Sequence, residues 1–232
     1  IDGSGEENCT VVWKFENGKH TKLEEINMPH SLGWYFAAFT EYLGFKAYDG
    51  EYKLMGLASY GKYIPELEAK IEKILKFDNK SSYRIDPQFI HYGKHSYSGR
   101  FTDNLVKLFN KRPRKENDKI TDWHKNLAYA VQKKLELVVT NMFKKYAVKT
   151  GIKNFCLGGG VGLNVKMNSE IYQLNNCKRL FANPLCADNG ASAGSALLAD
   201  FKINKNKPKI LNNLNLGLDF SDNQILELLN SK

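Results

Sequence analysis

The sequence predicts an α/β domain with one long core helix. Three observations lead there. A β-hairpin opens the chain, a helix-forming run stretches from Thr121 to Gly151, and the order strand, glycine turn, helix, strand, loop, helix follows it. Cys9 to Phe15 reads CTVVWKF, rich in β-branched and aromatic residues, and Asn17-Gly18 separates it from Lys19 to Ile26. Both central positions of a two-residue hairpin turn need positive φ, which Asn-Gly supplies, so the two runs pair.

Pro29-His30-Ser31 then sets up a helix from Leu32 to Leu43, with Ser31 as N-cap and Gly44 as stop. A glycine-punctuated stretch runs from Asp49 to Ala58. Ile64 to Phe77 reads as an amphipathic helix with Leu67, Ile71, Ile74 and Leu75 on one face. Tyr83 to Tyr92 is irregular or strand-like, and a short helix follows near Thr102 to Phe109. The long helix carries the stripe Leu127, Val131, Leu135, Val138, Met142 and Tyr146, spaced by threes and fours, which marks a core-facing element. Asn154 to Leu157 is the next strand, Gly158-Gly159-Gly160 the turn, Val161 to Leu174 a helix, Arg179 to Ala182 a strand and Gly190 to Phe201 a helix. Ile203 to Asn215, rich in Lys, Asn and Pro, reads as a linker. Ser221 caps a further helix to Asn230. The expected domains are thus residues 1–202 and, from 203 to 232, a linker and the start of another domain.

Length and composition limit the class. The 232 residues, 42% hydrophobic and 25% charged, suffice for one large globular domain or two small ones. No apolar run reaches the roughly 18 residues of a membrane helix. The first residues have neither the basic nor the apolar region of a signal peptide, and the absence of an initiator Met predicts a piece of a longer chain. Cys9, Cys156, Cys177 and Cys186 form no CxxC pair and read as reduced thiols of a cytoplasmic protein, Cys156 as core rather than nucleophile. The net charge of +9 reads as a lysine-rich solvated surface. Its densest run, Lys111-Arg112-Pro113-Arg114-Lys115, has Glu116 and Asp118 beside it and no nucleic-acid motif around it, so no nucleic-acid partner is expected.

The chemistry-bearing segments are three. Phe155 to Asn164 (FCLGGGVGLN) delivers three glycines to a helix N-terminus, where bare backbone N–H groups and the helix dipole suit a phosphate. It is neither a Walker loop nor the dinucleotide fingerprint, and a plain tight strand–helix connection fits it as well. Asp2-Gly3-Ser4-Gly5-Glu6 places an acid among glycines ahead of the hairpin, as a phosphate or metal approach or as a simple turn. Asp188, before the small-residue run Gly190-Ala191-Ser192-Ala193-Gly194, suits a cation ligand or an N-cap. His91 and His95 have metal-pair spacing, but Gly93 between them breaks any helix, so ligation is not expected. His124, in the first turn of the long helix, reads as a packing or surface residue.

Together, the order acid–glycine–hairpin, long helix, glycine turn, acid–glycine–helix suits a partial actin, sugar-kinase and heat-shock ATPase-like (ribonuclease H-like) domain, a superfamily that grips ATP between two subdomains. More specifically, DGSGE at residue 2, Pro29-His30-Ser31-Leu32-Gly33, the run EYKLMGLASYG from Glu51 to Gly61, Gly159 to Asn164 and Asp188 to Gly194 resemble, in order, the nodulation-type O-carbamoyltransferase family. The Leu127 to Val138 helix resembles that family's long helix, and Leu216-Gly217 with Asp219 to Leu229 its passage into a second domain. Leu218 departs from the family, which commonly has Pro there.

The resemblance implies an enzyme that moves a carbamoyl group from carbamoyl phosphate and ATP, by way of carbamoyl-adenylate, to a hydroxyl of a sugar or secondary metabolite. It implies a divalent metal, iron or magnesium, with Asp2 and Asp188 at the acid positions and a histidine pair that would lie before Ile1. The nucleotide would be gripped by Gly3, Ser4, Gly5, Gly33, Gly159, Gly160 and Asn164, with Lys53 as a further phosphate contact. Carbamoyl phosphate and a hydroxyl-bearing acceptor are the implied partners, with a homodimer as a further possibility and no membrane partner. No catalytic acid or base is assigned. Two alternatives stay open: a threonylcarbamoyl-tRNA transferase of the same fold, and a nucleotide-binding module that does no chemistry alone.

Overall fold

A computed structural model describes residues 1–78, 82–92, 99–206 and 217–231. The chain divides into two compact units, Ile1–Gly190 and Ala191–Lys232. Among the described residues the first unit holds an α/β arrangement with three two-stranded sheets. Strands β1 (Asn8–Glu16) and β2 (Lys19–Asn27) form the expected antiparallel hairpin, with Glu16 opposite Lys19. Asn17 and Gly18 have φ of 52° and 76°, as the turn requires.

Helix α1 (Leu32–Tyr42) is apolar nearly all round and accordingly buried nearly all round. Ser31 caps it, its hydroxyl accepting from Trp34 N at 3.1 Å. At its end the chain meets Arg114, a buried guanidinium that donates to the carbonyls of Leu43, Gly44, Glu116 and Asp118. Arg112 pairs with Asp118, pulling that carboxyl down to about 2. Two charges of the basic run are therefore spent within the fold.

The glycine-punctuated stretch forms α2 (Glu51–Leu57) and a 3-10 turn (Ala58–Tyr60), anchored by buried Leu54 and Ala58. Helix α3 (Pro65–Ile74) ends three residues before the expected Phe77. From Leu75 the backbone is extended, and β3 (Leu75–Asp78) pairs with β4 (Ser82–Ile85), Phe77 opposite Tyr83. Burial of Leu75 in the sheet stands in for the fourth position of a helical stripe. Helix α4 spans Asp103–Phe109.

Helix α5 (Asp122–Thr150) is about 44 Å long at 1.5 Å per residue. It starts in a capping box, Thr121 with His124, and stops at Gly151, whose φ is 71°. Every residue of its stripe is buried, at the centre of one apolar core shared with α1, α2, α3 and β4. Strands β5 (Asn154–Leu157) and β6 (Arg179–Ala182) pair in parallel, as the strand–helix–strand order requires. Between them a 3-10 turn (Gly160–Leu163) precedes α6 (Val165–Tyr172), so the helix expected from Val161 starts four residues later, with Asn164 as its cap. Cys156 corrects a second expectation. It points to the exposed face of β5, because strand alternation puts Leu157 and not Cys156 on the core side.

Helix α7 (Asn189–Asn204) takes in Ile203, expected to lie in the linker, and so the expected boundary after residue 202 falls inside it. In the second unit α8 (Asp222–Asn230) is capped by Ser221 in a capping box with Gln224, and none of its residues is buried. The rest of the expected linker, 207–215, together with Leu216, Gly93 and His95, falls outside the described residues. Among the described residues no helix is long and apolar enough to cross a membrane.

Candidate functional site

The first residues of the chain lie where three segments meet: the hairpin, the start of α1 and the glycine turn after β5. Asp2 N donates to Cys9 O at 2.9 Å, which ties residue 2 to β1. Gly33 N donates to Asp2 O at 3.4 Å, and Ser31 Oγ donates to Gly3 O at 2.5 Å and to Asp2 O at 3.2 Å. From the other side Gly159 N donates to Cys186 O at 2.7 Å and Val161 N to Ile1 O at 3.3 Å. Asp2 closes the junction: its Oδ1 accepts from Gly3 N at 2.7 Å and from Gly160 N at 3.1 Å.

Two glycines make this approach possible. A Cβ on Gly33 would stand 2.6 Å from the Cα and N of Gly3. A Cβ on Gly159 would overlap the carbonyl of Ile1, and its φ of 91° is one that L side chains rarely adopt. The junction is thus a backbone crossing that no side chain would allow. Most of its N–H groups are taken by carbonyls. Gly3 N and Gly160 N instead converge on a single side-chain oxygen, Asp2 Oδ1. Two N–H groups aimed at one point within 3.1 Å form an anion-binding geometry, here marked by a carboxylate oxygen.

The structure thus brings together Asp2, Gly3, Gly33, Gly159 and Gly160. Asn164 lies four residues beyond Gly160, buried, its Oδ1 capping α6 through Met167 N at 3.0 Å. Asp188 is exposed immediately before α7, two residues from the Cys186 carbonyl that touches the turn. Ser4 and Gly5 are exposed in the turn leading to β1, where Gly5 pairs with Asn8. Lys53 is exposed on α2 with Nζ 5.8 Å from the ring centre of Tyr52. Burial pushes the Cys9 thiol up to about 11 and raises that of Cys186, so neither thiol at the junction is held as a reactive thiolate.

Three participants escape a reading of the sequence. Ser31 was legible as an N-cap, but not as the hydroxyl that also holds Asp2 and Gly3. Trp34 lies under Gly3, where a Cβ would stand 3.1 Å from its indole. Gln132, a buried polar residue beside the apolar stripe of α5, bonds Asn164. Its only signal is a polar side chain between Val131 and Leu135. A groove of about 620 Å³ lies elsewhere, walled by Glu68 and Glu72 of α3, Lys133, Lys134 and Glu136 of α5, and Glu170 of α6.

Fold and junction define an α/β domain with a glycine-built crossing in which two backbone N–H groups converge on one carboxylate oxygen. Residues 1–197 match the family described as carbamoyltransferase N-terminus, and the chain belongs to that family. It is 31% identical to an uncharacterized protein of Synechocystis sp., over 97% of this chain and 37% of that one. It is 28% identical to the nodulation protein NolNO of Sinorhizobium fredii, over 90% of this chain and 28% of the relative. A tRNA N6-adenosine threonylcarbamoyltransferase of Polynucleobacter necessarius is 27% identical over 75% of this chain and 49% of its own length. The chain therefore spans between about a quarter and a half of these relatives' length.

Proposed function

We propose that the chain is the carbamoyl-transfer part of an O-carbamoyltransferase, with an actin-like cleft in which the glycine junction binds the phosphate of ATP or carbamoyl-adenylate. The observation that carries this reading is the convergence of Gly3 N and Gly160 N on one oxygen position. A phosphate oxygen there would replace Asp2 Oδ1, and rotation of the Asp2 side chain would release both donors together. Backbone N–H groups fixed by their neighbours need no reorganisation to receive charge, which is what stabilises a developing anion. In the transfer the acceptor hydroxyl oxygen bonds to the carbamoyl carbon, the bond from that carbon to the phosphate oxygen breaks, and AMP departs with the electron pair. The hydroxyl proton passes to water.

A divalent cation fits this reading in part. Among the described residues no group of three or more His, Cys, Asp or Glu side chains converges. Asp2 and Asp188, on segments that both reach the glycine turn, supply two carboxylates. Magnesium is commonly held by one or two carboxylates together with substrate phosphates. When bound it would neutralise phosphate charge. The relationship to a tRNA threonylcarbamoyltransferase supports a second reading, carbamoyl-type transfer to tRNA, but that relative matches a smaller share of the chain than the nodulation protein does.

Titration calorimetry with MgATP tests the site. Weak binding is expected for this chain, without carbamoyl transfer from carbamoyl phosphate by the chain alone. Asp2→Asn should lower magnesium-dependent affinity and raise that for metal-free pyrophosphate by roughly tenfold, since a like charge at the two N–H groups is removed. Unchanged affinity of both kinds would refute the assignment of this junction.

A further inference from the structure

We propose that Gln132 is the positioning residue of the glycine turn. Together with Met167 N it fixes the direction of the Asn164 amide, and so holds the α6 N-terminus and the Gly160–Leu163 turn in register. The consequence for nucleotide binding rests on the reading above; the positioning itself does not.

Gln132 is 1% exposed on α5, between the buried Val131 and the part-exposed Lys133. An apolar side chain would suit that face better, because a buried amide is tolerated only when its donors and acceptor are matched. Here they are. Gln132 Nε2 donates to Glu136 Oε1 at 2.9 Å and to Asn164 Oδ1 at 2.9 Å, and Asn164 Nδ2 donates back to Gln132 Oε1 at 2.8 Å. Asn164 Oδ1 also accepts from Met167 N at 3.0 Å, the cap of α6. Glu136 is itself fixed, its Oε2 lying 2.6 Å from Lys133 Nζ, which also reaches Glu170.

The chain of bonds has one possible polarity. An ionised carboxylate only accepts, so Glu136 turns the NH2 of Gln132 toward itself. A helix N-terminus only donates, so Met167 N turns the oxygen of Asn164 toward itself. Between these two ends both amides have a single orientation. Gln132 is the link that joins them: it connects α5, whose apolar stripe lies at the centre of the core, to the residue that ends the glycine turn. Asn164 N bonds back to Val161 O at 3.0 Å, and Asn168 Nδ2 holds Gly162 O at 2.7 Å, so a shift of Asn164 is passed directly to the turn.

Gln132→Met keeps the size of the side chain and removes both halves of its amide. In the full chain, hydrogen exchange at the Gly160, Gly162 and Met167 amides should accelerate by about tenfold, while amides within α1 and α3 keep their protection. A residue that merely stabilised the domain would accelerate all of them together, and that result, or unchanged exchange at the turn, overturns the proposal. Asn164→Asp supplies a second readout. A carboxylate caps α6 in either orientation, so Gln132→Met should add no further acceleration in that background; additive effects would refute the positioning role. If Gln132→Met does not fold, Gln132→Leu, which likewise removes both halves of the amide, takes its place in both measurements. MgATP affinity should fall about tenfold in Gln132→Met. An affinity within about twofold of wild type, with the turn loosened, removes the link to binding. Failure of the wild-type chain to bind MgATP would remove the nucleotide reading and leave the exchange result to decide the positioning.

Discussion

The glycine junction and the groove between α3 and α5 divide the polar chemistry of this domain in opposite ways. The groove is roomy and lined by ionisable side chains, yet its charges are largely spent on one another. Lys134, 5% exposed, pairs with Glu72, and Lys133 serves both Glu136 and Glu170. The junction has little side-chain chemistry. Its donors are backbone N–H groups brought together by glycines, and the charged side chain among them is Asp2. Paired side chains settle their own electrostatics and leave little for a ligand. Fixed backbone dipoles aimed at one point, here at Asp2 Oδ1, keep their direction whichever oxygen stands there, since a peptide N–H cannot turn away to another partner without moving the chain. In this protein concave volume and convergent backbone donors lie in separate places.

Two substitutions sharpen that contrast. The largest effect is expected at Gly33→Ala. The new methyl would meet the Gly3 backbone at 2.6 Å, and because both partners are main chain nothing flexible can yield. The cost should be about 2–3 kcal/mol in urea unfolding, with loss of MgATP binding; a stable, binding-competent variant would show that the crossing is not tight. Lys134→Met, in the groove, should cost about 1 kcal/mol, because Glu72 is exposed enough to be resolvated. Its MgATP affinity should match wild type, and a clear loss would make the groove part of the site.

The smallest effect is a pH dependence at the start of α5. His124 Nδ1 accepts from Thr121 N at 3.0 Å, which requires the neutral ring. Burial, and then the charges of Lys111 and Arg114, hold its pKa below the ordinary 6.5. A depressed folded-state pKa means that its stabilisation is complete above 6.5 and lost as pH falls below it. Urea midpoints of wild type and His124→Gln should therefore draw together between about pH 7.5 and about pH 5.5. A constant gap would show that the imidazole does not serve as the acceptor.

Much of this architecture was legible locally. The Asn-Gly hairpin, the Ser31 cap, the start of the long helix at Thr121, its stripe and the ends of β5 and β6 follow from turn chemistry and periodicity, which act over a few residues. Where the expectation slipped, a distant partner had intervened. Leu75 leaves the helical pattern because β4 is there to pair with it. Asn164 becomes a cap instead of an inner helical residue because Gln132, 32 positions away, holds its amide. Cys156 faces outward because the core contact of β5 runs through Leu157.

The candidate site divides the same way. Glycines beside an acid, and glycines before a helix, announced backbone approach at Asp2–Gly3, Gly33 and Gly159–Gly160, because only glycine permits it. That these segments meet, that Asp2 Oδ1 gathers Gly3 N and Gly160 N, and that Ser31 and Gln132 support them was decided by tertiary structure alone. Residue type fixes what a position can tolerate. Which donors point at a common oxygen depends on chain segments more than 150 residues apart being packed against one helix, and no local pattern encodes that distance.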